Sequence, residues 1–179
     1  MGQYYKVVKI NDENDFEKME VFELSSLKLM EHSWVGNPDC GKVMNLMTPG
    51  NPWHKSQVVW VGDYYNEDGE IDYYDKVEHT SIEVMVDKSL SEEQQQKCYL
   101  INYSKKQYVD YSKMSKNEDG WMINPLPLLT ALGNGRGGGD YYDGNPDYDK
   151  VGIWSRDILA IDFEIPDGFE EFIVEFEEE

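Results

Sequence analysis

The chain has 179 residues, with 36 Asp and Glu against 16 Lys and Arg, a formal charge of -20 at pH 7. Hydrophobic content of 40% and aromatic content of 13% support a packed core and exclude global disorder. No apolar run approaches the ~20 residues of a membrane span. A free polyanion is repelled by nucleic acid and by anionic lipid, so direct binding to either is not expected.

The length suits one domain over residues 1–179, long enough to bury roughly 70% of its unfolded surface without a disulfide or structural metal. The opening MGQYYKVVKIN has no apolar signal core and no Ser or Thr at position 6, which predicts a cytoplasmic protein without a myristoyl anchor. Cys40 and Cys98 form no CxxC and read as reduced structural thiols.

Local patterning sets the element order. Residues 3–10, rich in Tyr and Val, predict a strand, and 11–15 a polar turn. Ser25 or Ser26 is placed to cap a short helix carrying Leu27, Leu29 and Met30. Asn37-Pro38 reads as an N-cap followed by proline at the first helical position. Val43, Met44, Leu46 and Met47 supply the apolar side, and Thr48-Pro49-Gly50 stops the helix. Residues 57–61, apolar from Val58 onward and closed by Gly62-Asp63, read as a buried strand. A turn at 66–70, a strand at 81–86 and a short helix at 91–96 come next. Residues 98–103 and 107–111 flank Ser104-Lys105-Lys106 as a hairpin.

Pro125 and Pro127 restrict regular helix, so a helix in the apolar stretch 126–132 is expected to begin after Pro127. Residues 133–139 are a glycine-rich loop that runs on as polar irregular chain to 149. Residues 152–161 and 169–176 read as the last two strands. Helices and strands do not alternate regularly. The expected class is therefore α+β, with a mixed or mainly antiparallel sheet, a few short helices and a long glycine-rich loop.

The most unusual segment is that loop, with five glycines between positions 133 and 139. Successive N–H groups there can form an anion nest, and Arg136 can add a bidentate clamp. This makes Asn134, Arg136 and Asp140 candidate ligand-binding residues for a phosphate or carboxylate. The P-loop pattern fails because no Gly-Lys-Ser/Thr follows. Gly133-x-Gly135-x-x-Gly138 fits G-x-G-x-x-G without the strand and helix that give it meaning. The competing reading is a turn wrapped on another element, with Arg136 paired to a carboxylate.

Asp143, Asn145, Asp147 and Asp149 place oxygens at alternate positions, like the first half of a calcium loop. Tyr148 and Trp154 stand where an EF-hand needs glycine and glutamate, so the metal question stays open. His32, His54 and His79 are scattered. His32 with Asp39 and Cys40 has no diagnostic metal or Cys-His spacing, and His32-Ser33-Trp34 reads as packing at a helix end. No Ser-centred nucleophile elbow occurs, and no cofactor is expected.

Tyrosines come in pairs: Tyr4-Tyr5, Tyr64-Tyr65, Tyr73-Tyr74 and Tyr141-Tyr142. Three pairs adjoin Asp. Tyrosine gives contact area at low entropy cost, which makes Tyr64, Tyr65, Tyr141 and Tyr142 candidate partner-binding residues, with partly buried strand-edge tyrosines as the alternative. In an extended C-terminus, Phe172, Val174 and Phe176 share one face while Glu175, Glu177 and Glu179 fall on the other, about 6.7 Å apart. That carboxylate row can imitate a phosphate backbone, and its counter-reading is a solubilised final strand.

Several segments resemble an uncharacterised protein family of phages and gut Firmicutes. They are Leu29-Met-Glu-His-Ser-Trp-Val-Gly-Asn37, Val59-Trp-Val-Gly-Asp-Tyr64, Leu126-Pro-Leu-Leu-Thr130, Gly133-Asn-Gly-Arg-Gly-Gly-Gly-Asp-Tyr141 and Val151-Gly-Ile-Trp154, with the 99–110 hairpin between them. The glycine motif is the most specific. The family's later motif reads W-x-G-D-x-I, and Arg156 stands here at its glycine. The resemblance implies a small acidic accessory protein of a phage or mobile element, without assigned catalytic residues, working in a bacterial host cell. By analogy with acidic anti-CRISPR proteins, it implies an inhibitor that mimics nucleic acid and binds a basic nucleic-acid-binding protein such as a CRISPR effector. The alternative is a small-ligand or nucleotide-binding protein, or an enzyme, using the glycine loop with Arg136.

Overall fold

The computed structural model describes residues 2–65, 73–80 (78–80 as backbone alone), 82–117, 119–142 and 148–175. Three strands near the N-terminus set its frame: β1 (Tyr5–Ile10), β2 (Glu20–Phe22) and β3 (Ser56–Gly62). β1 lies between the other two and is antiparallel to both. The two-residue period of a strand sends Val7, Val58 and Trp60 into one apolar cluster and Val8, Val59 and Val61 into another. The apolar run of β3 thus has a cause: both faces of the strand are covered.

Between β2 and β3, α1 (Leu29–His32) and α2 (Pro38–Leu46) fold onto the first face. Asn37 Oδ1 accepts from the Asp39 and Cys40 amides, and Pro38 follows it, as the sequence predicts. Val43, Met44 and Met47 enter the main cluster. The second face is covered by α3 (Tyr73–Thr80), which sets Tyr73 and Val77 one turn apart on it.

The rest of the chain extends the sheet: β4 (Ile82–Glu83), α4 (Glu92–Lys97), β5 (Tyr99–Asn102), β6 (Gln107–Asp110), α5 (Pro125–Thr130), β7 (Ala131–Leu132), β8 (Ile158–Asp162) and β9 (Glu170–Glu171). The strand order is β4-β2-β1-β3-β8-β5-β6-β9, with β7 also on β3. Pairings are mixed, parallel for β2/β4, β3/β7 and β6/β9 and antiparallel elsewhere, and the fold is α+β. One edge of β3 serves two partners. Its first residues, Ser56 and Gln57, pair with β8, and Trp60 and Val61 pair with β7.

Four expectations are corrected. Neither Ser25 nor Ser26 caps α1. Lys28 holds the cap position without a side-chain bond, and Ser25 instead donates its amide to Asp39 Oδ2 at 2.6 Å. α5 begins at Pro125, because both prolines fall in the first turn, where an N–H has no helical partner to lose. Asn124 caps it by accepting from the Leu126 amide.

The strand expected at 152–161 starts only at Ile158. The preceding residues turn so that the Gly152 and Trp154 amides donate to the Leu128 and Leu129 carbonyls at the end of α5. These are the unpaired last-turn acceptors of that helix. Among the described residues of the expected final strand (169–176), only Glu170 and Glu171 pair with β6, at Gln107 and Tyr108. The short helix read at 91–96 forms as α4, where the structure adds a capping box between Ser91 and Gln94, and the β5–β6 hairpin forms as read from the sequence. The 66–70 turn lies outside the described residues.

Candidate functional site

β7 sits beside Trp60 and Val61 and so delivers the glycine loop to the end of β3, next to the start of β1. The loop then curls around the carboxylate of Asp140. Asp140 Oδ2 accepts from the amides of Gly135 at 2.8 Å, Arg136 at 3.2 Å and Gly137 at 3.2 Å. It also accepts from Gln3 Nε2 at 2.6 Å, while Oδ1 accepts from the Tyr5 hydroxyl at 3.0 Å.

The anion nest expected from the glycines is therefore present, and the anion it holds is the chain's own. Gly135 adopts φ +91°, and a Cβ on Gly137 would lie 2.7 Å from the Gln3 amide nitrogen, so a larger residue at either position opens the nest. Burial pushes the Asp140 carboxyl up, and the donated hydrogen bonds pull it back part of the way. Burial and the Asp140 charge raise the Tyr5 phenol well above its ordinary value, keeping it a donor.

Asn134, Arg136 and Asp140 do converge, on one another and on the backbone. Asn134 clamps Tyr141 as a second backbone would, its Oδ1 accepting from the Tyr141 amide at 2.9 Å and its Nδ2 donating to the Tyr141 carbonyl at 3.1 Å. Arg136 Nη1 donates to the Tyr64 carbonyl at 2.9 Å, and its guanidinium lies 5.5 Å from the centre of the Tyr65 ring. Arg156 reaches the same tyrosine from the other side, with Nη2 donating to the Tyr65 hydroxyl at 3.0 Å. Arg136 and Arg156 are the only arginines of the chain. A hollow of about 310 Å³ opens beside Arg136, Tyr65 and Tyr148.

No protein family, curated protein or solved structure matches the chain. The site must be read from its own geometry.

The expected partner-binding residues separate into different environments. Tyr142 is exposed, Tyr64 and Tyr65 are half-buried, and Tyr141 is only 1% exposed. Tyr141 is therefore a core residue, a correction to its expected contact role. Tyr4 is exposed where Tyr5 is buried, and Tyr142 where Tyr141 is buried, whereas Tyr64 and Tyr65 do not alternate. At the C-terminus Val174 is buried and Glu175 exposed. Glu177 and Glu179 lie outside the described residues, as do residues 143–147 of the calcium-like loop.

His32 and Cys40 do meet, but not through the imidazole. The Cys40 thiol donates to the His32 carbonyl at 3.1 Å. The Trp60 indole N–H donates to His32 Nε2 at 2.8 Å, which assigns the ring proton to Nδ1. Burial lowers the His32 pKa to about 4 and pushes both thiols up, so neither cysteine is a ready nucleophile. Asp39 is spent on Ser25.

A second hollow, of about 420 Å³, was not foreseen from the sequence. It opens where residues 33–35 pair with 122–124, through bonds from the Val35 amide to the Met122 carbonyl and from the Asn124 amide to the Ser33 carbonyl. That pairing brings Trp34 and Trp121 edge to face, with ring centres 5.4 Å apart. Asn117 fixes the turn that presents Trp121, its Oδ1 accepting from the Asp119 and Trp121 amides. The legible signal was Asn117 and Gly120 just before a tryptophan, a polar turn with an aromatic at its exit.

Proposed function

We propose that this chain is an acidic binding protein whose partner is a basic, nucleic-acid-binding protein, and that it acts for a phage or mobile element by occupying such a host defence protein, of which a CRISPR effector is the type. One observation carries the reading. The surface keeps carboxylates open: Glu13, Glu83, Asp87, Glu164 and Asp167 are exposed and belong to no ion pair among the described residues. Open charge of one sign steers a partner of the opposite sign and leaves the affinity to a few buried anchors. Of the C-terminal carboxylate row, Glu175 is the one member among the described residues, and it is exposed.

The alternative is a small-ligand or nucleotide site at the glycine loop, and it draws on the hollow beside Arg136 and Tyr148. It is the weaker reading because Asp140 already occupies the nest that would receive an anion. Purified CRISPR effector nucleases and other basic nucleic-acid-binding proteins, immobilised and challenged at stepped NaCl, test the first reading. The expected result is capture that weakens with salt and is displaced by nucleic acid. Absence of capture at low salt overturns it. Stabilisation by a nucleotide, abolished in Arg136→Ala, would favour the second.

A further inference from the structure

We infer that the cleft between Trp34 and Trp121 is a receptor for an arginine side chain presented by a basic peptide segment, which deepens the proposed binding to a basic protein by naming its anchor point.

The cleft has the chemistry of a cation site on two counts. Its aromatic wall is built and open. Trp34 is 8% exposed and its indole N–H is already donated to the Met30 carbonyl at 2.8 Å, while Trp121 is 52% exposed. The tryptophan surface open to a ligand is therefore mainly that of Trp121, whose indole ring attracts a cation. Its polar wall is anionic. Glu31, Glu92 and Asp119 line the hollow, and among the described residues none of the three is in an ion pair. Lys116 is the one cationic side chain in the lining.

Glu92 is exposed and lies against Gly36, which lines the same hollow. Gly36, at φ +97°, has no Cβ, and one added there would come within 3.1 Å of Glu92 Cγ. A neighbouring hollow of about 330 Å³ shares Glu31, Trp34, Asp119 and Trp121 with the first, so the tryptophans border a continuous depression that holds more than a single side chain. A guanidinium suits it better than an ammonium. Its plane stacks on an indole while its edge offers paired N–H donors to carboxylates. A neutral sugar would also stack on Trp121, but it would leave three unpaired carboxylates facing it without compensation.

The five tryptophans make the test direct. Trp53, Trp60 and Trp154 are fully buried, so Trp121 dominates the fluorescence accessible to acrylamide. An arginine-rich peptide is expected to protect that fluorescence from quenching, a lysine counterpart less, and a glutamine counterpart not at all. By calorimetry, Trp121→Ala and the double variant E92Q/D119N should each weaken the arginine peptide at least tenfold. E164Q/D167N, the same charge change placed elsewhere, should stay near the parent protein. Circular dichroism establishes that each variant is folded.

Equal weakening by the two charge variants, or none in Trp121→Ala, overturns the inference in favour of diffuse attraction. Protection by an oligosaccharide and not by the arginine peptide overturns it in favour of a sugar cleft. If purified basic proteins bind regardless of Trp121 and Glu92, the cleft reading fails and the basic-partner reading stands. If the peptide binds the cleft and no basic protein is captured, the reverse holds.

Discussion

The Tyr5 hydroxyl donates to Asp140 Oδ1 at 3.0 Å across 135 residues of chain, joining the first strand to the end of the glycine loop. With Gln3 and three loop amides on the other oxygen, this carboxylate receives five donors. Losing it strands buried donors that nothing else satisfies. Asp140→Asn, which keeps the shape but places an NH2 against donors, is expected to cost about 3 kcal/mol by denaturant unfolding. Tyr5→Phe alone should cost about 1.5 kcal/mol, and the double variant less than the sum. Strict additivity would show that the two groups do not act as one unit.

His32 makes stability depend on pH. Its folded pKa is about 4 against an ordinary 6.5, so the unfolded chain binds the extra proton between those values. The stability is fully present above pH 6.5 and is lost as pH falls toward 4, by roughly 2–3 kcal/mol at pH 4.5. Carboxylates titrate nearby, so the measurement is a difference. Unfolding of the parent and of His32→Gln, compared at pH 7.5 and 4.5, should show the shallower dependence in the variant. Parallel curves would remove His32 as the source.

Arg156 holds φ +68°, a left-handed conformation that costs a side-chain-bearing residue about 1 kcal/mol. The chain bears that strain for the bonds from Arg156 to the Tyr65 and Tyr73 hydroxyls. Arg156→Ala loses the bonds and keeps the strain, whereas Arg156→Gly loses both. The glycine variant should be more stable than the alanine variant by about 1 kcal/mol in thermal unfolding. The reverse order would place the stabilisation elsewhere.

The charge of -20 sets the response to salt. Like charges repel across the folded surface, and a Debye length of about 10 Å at 0.1 M screens them. The unfolding midpoint in urea should rise when NaCl is raised from 10 to about 300 mM. A fall would mean that the few ion pairs outweigh the repulsion.

The sequence made the local signals legible. Asn37-Pro38 announced one helix start, and the stretch 91–96 was read as a second short helix. The apolar run at 58–61 announced the strand with both faces covered, and Ser104-Lys105-Lys106 announced the hairpin. These are decisions within a few residues of chain. What the sequence could not disclose is decided at long range. The turn at 151–157 answers to carbonyls left over at the end of α5. The glycine loop presented its amides plainly, but nothing nearby in sequence shows Gln3 and Tyr5 arriving to complete the carboxylate's shell. Tyr141 was misjudged for the same reason: a paired tyrosine looks like an interface residue until Asn134 draws its backbone inward. The Trp34–Trp121 cleft depends on two strands of chain meeting almost ninety positions apart, with only a polar turn to mark one of them.

Because both arginines of the chain bear on Tyr65, an arginine-specific endoprotease has only two bonds to attack, and both lie at that one corner. Digestion therefore proceeds no faster than the corner breathes open. The cutting rate is a label-free clock for local opening there, read on the unmodified chain and separable from the melting of the sheet as a whole.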